Sequence, residues 1–456
     1  MPSVSIIGGG ITGLAIGAFL KRLAPNISIN LFERSRQVGG RTRSTTEKGF
    51  TFDWGPNGFL STDTTKPSPI LDLVKAVGLS EDLVQATPGS QRRYLFYDGG
   101  LRPIPTSLST FLGSELLTTS GKFRALLEPV FASRFKGEET VYEFLQRHFG
   151  TGFANTFADP LVIGHTAGSA LKLSLDALFP HIRQLESNHL SLIRGFNSQK
   201  RHPDRRATLT SFLEGGIQKL IDGLNADLRK EITTDAELIA LEKSSSNRIR
   251  LRFKEGTEFI TDKVVLATPA FVSGKLLKTH LPDAAQLLGS IPYAGVRVFA
   301  LGYDRIEVPR PMDGFGFLVP RNQGVSALGV LWSSSIFPNR VSKGKVLLNV
   351  FTGGTHDPNI LSLSTEEALK LVQRDLEITM GITASPQYTG DINWPQGIPQ
   401  YLCGHQQLVK QIEIALTDFP GITLAGDAYH GIGLNSCIQD AHRVATTLAS
   451  ELTHDF

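Results

Sequence analysis

Cysteine is almost missing from this chain: Cys403 and Cys437 are the only two in 456 residues. So sparse a pair excludes a disulfide framework and suits a reducing compartment such as the cytoplasm. Long apolar runs are missing as well. Nothing approaches the roughly 18 consecutive apolar residues that a spanning helix needs, so direct membrane crossing is not expected, while a peripheral position on the cytoplasmic face of a membrane stays open. Charge of one sign is also lacking: 46 basic side chains nearly balance 43 acidic ones, leaving a net charge of +3. That excludes the dense cationic stripe of a nucleic-acid-binding protein. The first residues, Met1-Pro2-Ser3-Val4-Ser5-Ile6-Ile7, carry no charged leader or small-residue cleavage site and read as a strand. No Ser/His/Asp or Cys/His constellation stands out, and no histidines recur at metal-ligand spacing.

What is present is a globular composition, 41% hydrophobic and 20% charged. The chain is too long for one ordinary core, so two or three packed units are expected. It opens with a strand over 4–7, a glycine turn, a helix over 14–23 and a strand over 27–32, which is one βαβ unit. From about 101 to 192 the apolar spacing becomes helical. Residues 108–131 read as one amphipathic helix carrying Phe111, Leu112, Leu116, Leu117, Phe123, Leu126, Leu127 and Phe131, with Lys122 and Arg124 on its polar side. The default reading is a helical subdomain packed on the rest of the chain; the sharper one is a membrane-facing surface. A polar, basic stretch over 194–206 reads as an exposed loop, helix resumes over 212–224, and a buried strand covers 264–268. Strand-like runs dominate from 293 to 351, including 315–319 and 325–332. A helix over 366–380, a strand over 422–425 and a helix over 438–452 complete the pattern.

The sequence Gly8-Gly9-Gly10-Ile11-Thr12-Gly13 follows a strand and opens a helix. In that setting Gly8 permits a tight turn, Gly10 lets backbone approach a diphosphate, and Gly13 brings helix and strand together. The helix start supplies unpaired N–H groups and a partial positive charge. Glu33 ends the second strand about 20 residues beyond Gly13, where an acid accepts ribose hydroxyls. An acid there favours an unphosphorylated adenosine ribose, as in FAD or NAD.

Two further segments bear on the choice. Val38-Gly39-Gly40-Arg41-Thr42-Arg43-Ser44 resembles the Gly-Gly-Arg extension of the flavin amine oxidase superfamily. Leu424-Ala425-Gly426-Asp427, followed by Gly431-Ile432-Gly433-Leu434-Asn435-Ser436-Cys437, resembles that superfamily's closing flavin motif. A helix starting there would stabilise the negative charge of a reduced flavin. Within the superfamily the chain resembles the porphyrinogen oxidase branch, in particular protoporphyrinogen oxidases, over nearly its whole length. The resemblance rests on Asp53-Trp54-Gly55-Pro56-Asn57-Gly58-Phe59, Arg92-Arg93-Tyr94, Asp313–Pro320, Trp394-Pro395 and Ile398-Pro399-Gln400-Tyr401 with Gly404-His405.

This resemblance implies an α/β fold in three parts. A discontinuous Rossmann-type FAD-binding domain takes 1–95, 205–275 and 400–456. A helical, membrane-associating subdomain takes 96–204, and a mixed α+β substrate-binding domain takes 276–399. It implies FAD contacts at Gly8, Gly9, Gly10, Ile11, Thr12 and Gly13, at Glu33, Arg34, Gly40 and Arg41, and at Gly55, Pro56, Asn57 and Gly58. Leu238 (by its backbone), Trp394, Asp427, Ile432, Gly433 and Leu434 complete the cofactor set. It places Arg93 against a substrate propionate, for which a guanidinium is well suited. Leu318, Ala327 and Phe351 fall on positions that sandwich the macrocycle, with Gly168 on the neighbouring loop.

The implied reaction is a six-electron oxidation of protoporphyrinogen IX in haem biosynthesis, in three two-electron rounds. In each round a hydride leaves a bridge carbon for the flavin and molecular oxygen is reduced to hydrogen peroxide. No side chain beyond the flavin is assigned a catalytic role. Three alternatives stand: oxidation of coproporphyrinogen III by the same machinery, amine oxidation, and a non-catalytic flavin scaffold that delivers intermediates to a ferrochelatase. Amine oxidation is disfavoured because no Lys occurs between Lys278 and Lys343. Three departures from the family pattern are Ser169 after Gly168, Ser436 within the closing motif, and the acid Asp427. A homodimer is compatible with all of this.

Overall fold

The computed structural model describes residues 1–61, 68–199, 207–244 and 248–454. Its first layer is a parallel sheet in the order Ile232–Thr233, Ser28–Phe32, Ser3–Ile7, Lys263–Leu266, Ile422–Leu424. Ser3–Ile7 is central, and all five of its residues are buried, as expected for a parallel strand covered on both faces. One face carries the helices Ile11–Leu23, Gln218–Asp227 and Leu434–His454 over a core that includes Leu14, Leu31, Leu220 and Ile438. The other face packs on the antiparallel strands Leu238–Lys243, Ile249–Phe253 and Glu258–Thr261 and on Ala270–Leu277, Pro282–Gly289 and His405–Leu416.

A second, seven-stranded sheet runs in the order Tyr388–Pro399, Tyr293–Asp304, Lys345–Gly353, Ala327–Leu331, Gly316–Leu318, Arg93–Tyr97, Gly100–Pro103. It is antiparallel except where Gly316–Leu318 runs parallel to Arg93–Tyr97. The strand that begins at Arg93 thus joins this second sheet, although the sequence reading ended the nucleotide-binding segment at residue 95. Helix Thr365–Met380 covers one face of the sheet, over Phe299, Val330 and Leu348. The opposite face, with Val298, Leu328 and Leu347, packs against Phe52, Trp54 and the end of helix Thr151–Thr166.

Two sequence expectations change. The single helix over 108–131 is three short ones, Leu108–Gly113, Thr119–Leu126 and Glu128–Phe131. Each break has a local cause. Ser107 and Thr118 cap new starts with their hydroxyls, and Pro129 opens the third helix. Phe212, read as the start of a helix, instead ends the strand Thr208–Phe212. The β-branched Thr208 and Thr210 favour the strand. Gly215 and Gly216, both at positive φ, make the turn that lets helix begin only at Gln218. The basic stretch is helical over Leu192–Gln199, and the rest of it, 200–206, lies outside the described residues. Among the described residues no helix is long and apolar enough to cross a membrane.

Candidate active site

The turn after the central strand is built from glycines with different duties. The Gly8 N–H donates to the Phe32 carbonyl at 2.8 Å. A Cβ on Gly13 would drive into the Gly8 carbonyl oxygen, whereas one on Gly10 would meet no atom within 4 Å. Gly13 is glycine for the turn itself; Gly10 keeps a space open for something outside the chain. Gly10 is also the N-cap of helix Ile11–Leu23, and no side chain caps that helix, so its first N–H groups remain available to an anion. Ile11 and Thr12 are buried in that first turn. The second glycine pair lies alongside, with the Gly39 N–H donating to the Gly9 carbonyl at 2.7 Å. A Cβ on Gly40 would sit 3.4 Å from the Gly10 Cα.

Glu33 accepts the Gly9 N–H at 2.7 Å and the Ser35 N–H at 2.8 Å. Each oxygen keeps a lone pair for a hydroxyl donor. The Ala236 N–H donates to the Glu33 carbonyl at 2.9 Å, which lays the start of strand Leu238–Lys243 beside the acid. The Leu238 side chain is buried in the core, so its backbone is the part left for a ligand. Arg34 is exposed next to Glu33.

The C-terminal motif folds back onto these turns. Arg41 pairs with Asp427 at 3.1 Å and also donates to the Gly397 carbonyl. The acid that departs from the family pattern therefore ties both ends of the chain to strand Tyr388–Pro399. Helices Ile11–Leu23 and Leu434–His454 share one core, and the Cys437 thiol donates to the Gly431 carbonyl at 3.6 Å. Burial pushes that thiol up to about 12, which makes it an inert packing group.

Asn435 exchanges two hydrogen bonds with the Leu60 backbone, at 2.9 and 2.8 Å. It thereby pins the segment containing Gly55, Pro56, Asn57 and Gly58. Cβ atoms on Gly55 and Gly58 would collide with the Arg41 and Thr210 carbonyl oxygens. Asn57 Oδ1 is sealed from solvent with no partner, an acceptor awaiting a donor. The Trp394 indole N–H donates to the Trp54 carbonyl at 3.2 Å. Ile432 is half-buried, Gly433 is exposed with open space at its Cβ position, and the Leu434 side chain enters the core. An uncapped helix start, an orphaned acceptor and a ribose-ready acid fit a dinucleotide whose diphosphate lies over Gly10 and Gly40.

Beside this cradle lies the face of the second sheet that helix Thr151–Thr166 crosses. Leu318 packs there with Phe351, Ile392, Trp394 and Ile398. In the parallel pairing Gly316 aligns with Arg93 and Leu318 with Leu95. Side chains alternate along a strand, so Arg93 points to the same face as Leu318, while Tyr94 and Phe96 join the opposite cluster. Arg92 is neutralised by Asp313, which also accepts the Tyr94 hydroxyl at 3.0 Å. Arg93 has no carboxylate partner among the described residues; its guanidinium lies 5.0 Å from the Phe315 ring centre. Between two adjacent arginines, the structure leaves the one at 93 free for an incoming anion.

Two expected substrate contacts sit elsewhere. Ala327 belongs to the cluster beneath helix Thr365–Met380, and its N–H donates to Asp375 at 2.9 Å; its neighbour Leu328 faces the slot. An irregularity in the pairing between Ala327 and Gly329 shifts the alternation there. Gly168 is buried against Gln400 and Leu173. A Cβ added at Gly164, one helical turn earlier, would lie 3.8 Å from the Leu318 side chain. Next to Gly164, His165 is exposed at its surface; desolvation by the surrounding protein holds its ring below the ordinary 6.5, and the charge of Arg93 acts in the same sense.

Comparison with known proteins bears on both halves of this site. The pattern of flavin-containing amine oxidoreductases matches residues 11–449. The chain belongs to that family. Among its relatives, protoporphyrinogen oxidase 1 of Arabidopsis thaliana chloroplasts is 32% identical over 474 residues, covering 96% of this chain and 86% of that one. Coproporphyrinogen III oxidase of Bacillus subtilis is 30% identical over 457 residues, covering 95% of each. A crystal structure from Exiguobacterium sp. 255-15, provisionally assigned as a protoporphyrinogen oxidase, superposes with a TM-score of 0.85 at 27% identity over 99% of each chain.

As a member of this flavin family the chain is an FAD-dependent oxidoreductase, and the cradle described above fits FAD. Sequence reasoning missed His165, Gly164, Leu328 and the role of Asn435. Which of Gly164 and Gly168 faces the slot depends on where helix Thr151–Thr166 ends. Only the fold sets that point.

Proposed function

We propose that this flavoprotein oxidises a porphyrinogen, and protoporphyrinogen IX in particular, with molecular oxygen as the final acceptor. The observation that carries this reading is Arg93. A guanidinium without a carboxylate partner stands at the edge of an otherwise apolar slot made by Leu318, Leu328, Phe351 and Ile398. That combination suits a flat hydrophobic ring with a carboxylate on one side. The bound FAD supplies the two-electron chemistry. The chain's own part is to hold the ring by Arg93, exclude water with the apolar walls, and place the ring against the cofactor. Gly10, Gly40 and the helix starts at Ile11 and Leu434 would hold the diphosphate and the flavin. Coproporphyrinogen III remains the second reading, because the Bacillus subtilis relative lies at nearly the same identity as the Arabidopsis thaliana one. Its four propionates call for more cations than the one at Arg93.

Purified holoprotein offered each porphyrinogen separately, with porphyrin fluorescence followed, decides between them. A preference of at least tenfold for protoporphyrinogen, about 1.4 kcal/mol in transition-state binding, is expected. The reverse preference would sink the choice of substrate. In the same assay Arg93→Ala should raise KM about tenfold with kcat little changed. Hydrogen bonds to a charged group contribute about 1.5–3 kcal/mol, and the exposure of Arg93 favours the low end.

We further propose that the helical region rests on a membrane surface. Leu112, Phe123, Leu127, Val130 and Phe131 are all exposed, Val130 at 73%, in a patch with no internal function to explain it. Anionic vesicles should sediment the wild-type protein. A Phe123→Asp/Val130→Asp double variant, which touches no core residue, should bind at least about tenfold more weakly. Equal sedimentation of the two proteins would count against this surface.

A further inference from the structure

Tyr401 is not needed to explain the cradle or the slot, yet it is one of the largest fully buried side chains in the molecule, 2% exposed. Its single hydroxyl donates to the Asp427 carbonyl at 2.6 Å and accepts the Gly431 N–H at 2.9 Å. It therefore bridges the two ends of the turn that leads into helix Leu434–His454. The Asp427 carboxylate, at the same end of the turn, holds Arg41 of the N-terminal glycine loop. One oxygen atom thus sets the spacing between Asp427 and Gly431, and with it the direction of the N–H groups that follow.

The tyrosine can do this because everything around it is fixed. Its ring stacks on His405 with centres 3.8 Å apart and planes 14° apart. Burial pushes the His405 ring down to about 4, so the stack carries no charge near neutral pH. The Tyr401 carbonyl accepts the Ser174 N–H at 2.8 Å, and the preceding Gln400 donates to the Thr166 carbonyl at 2.8 Å. The brace is therefore anchored in the helical region, which does not belong to the flavin turn.

We propose that Tyr401 is a positioning residue whose hydroxyl holds the Asp427–Gly431 turn so that the N–H groups beyond it meet the negative charge of the reduced flavin, and that it thereby sets the flavin's reduction potential. This rests on the C-terminal motif facing the flavin, as the family membership and the cradle indicate. The physical reason is electrostatic. Preorganised donors aimed at developing charge stabilise the reduced form, and misdirected ones do so less. Releasing the hydroxyl also leaves the part-buried Gly431 N–H without this partner.

The test is Tyr401→Phe, which keeps the ring and its stack on His405. Expected results are a midpoint potential more negative than wild type, FAD binding to apoprotein roughly five- to tenfold weaker, slower anaerobic flavin reduction, and an unchanged KM for porphyrinogen. An unchanged potential with unchanged FAD affinity overturns the proposal, and so does a change confined to KM. Should the Phe variant not fold, site-specific 3-fluorotyrosine at 401 decides. It keeps every contact and strengthens donation at the expense of acceptance, so the potential should shift; a potential that stays put overturns the proposal. Failure of the wild-type apoprotein to take up FAD would instead remove the flavin reading itself, which separates the two failures.

Discussion

Gly10→Ala is expected to leave the apoprotein's thermal unfolding unchanged while abolishing tight FAD retention; Gly13→Ala is expected to lose both. The contrast follows from where each new methyl group would go. At Gly10 the backbone lies at φ −70° and ψ 176°, a region open to alanine, and no atom of the chain comes within 4 Å of the added Cβ. Loss of glycine there lowers the entropy of the unfolded chain by about 0.4–1 kcal/mol. A poorer N-cap offsets part of that gain by a few tenths of a kcal/mol. Stability therefore stays level. The methyl group does, however, fill the space in which a diphosphate must approach the first N–H groups of helix Ile11–Leu23. An affinity loss on the order of 100-fold, about 2.7 kcal/mol, is expected.

At Gly13 the methyl group meets the Gly8 carbonyl oxygen, and backbone cannot swing aside as a side chain can. Overpacking of this kind costs about 1–3 kcal/mol, and relief requires opening the turn on which the cofactor depends. Calorimetry on both apoproteins, with flavin-fluorescence titration for affinity, separates the cases. Wild-type FAD affinity in Gly10→Ala would mean that the diphosphate lies elsewhere.

The same two glycines show what could be read from sequence and what could not. Strand, turn, helix, strand and Glu33 are neighbours along the chain, so local pattern and steric need coincide, and the parallel sheet forms around them as expected. In the closing motif Gly426 and Gly433 leave open space at their Cβ positions, whereas Gly431 closes on Ser436 of the following helix. Failures came where geometry is set from afar. Gly168 and Gly164 look alike in sequence, and which one lies beside Leu318 depends on the end of helix Thr151–Thr166. Ala327 looked like a slot residue by resemblance, but an irregular pairing turns its side chain to the other face. The free state of Arg93 was invisible too, because Asp313, which neutralises Arg92 instead, lies some 220 residues away. Along 108–131 the apolar spacing was real. Hydroxyl caps and a proline nonetheless cut one helix into three, which no periodicity reveals.

The third of those short helices is fastened at its first residue by a buried ion cluster, and removing one carboxylate should loosen it. Glu128 is fully buried. It faces His148 Nδ1 at 2.8 Å and accepts the Ser191 hydroxyl at 2.6 Å and the Leu192 N–H at 2.8 Å. His148 Nε2 lies 3.0 Å from Glu186, which also takes Arg147 at 2.7 Å and Arg183 at 2.6 Å. Phe123, Val130 and Phe131 point outward, and of the apolar residues over 108–131 only Leu116, Leu117 and Ala125 are buried, so hydrophobic burial replaces the cluster only in part.

Glu128→Ala strands the Ser191 hydroxyl, the Leu192 N–H and the Nδ1 side of His148. Breaking a buried pair from one side costs about 3–5 kcal/mol. Amide exchange over 186–199 should accelerate roughly 150-fold, as about 3 kcal/mol of local opening implies, while the parallel sheet keeps its protection. Acid should mimic the mutation. Burial alone would raise the Glu128 carboxyl, but the Ser191 hydroxyl, the His148 ring and the backbone N–H groups hold it below its ordinary 4.5. Glu186 is lowered by His148, Arg147 and Arg183 against the same opposing burial. Carboxyls lowered on folding contribute stability that is fully present above about 4.5 and fades as pH falls through their depressed values. Protection over 186–199 should therefore fall below that pH in the wild type, and in Glu128→Ala only the part carried by Glu186 should remain to be lost. Unaltered protection in the variant at neutral pH would show that something other than this cluster holds the outward-facing helices in place.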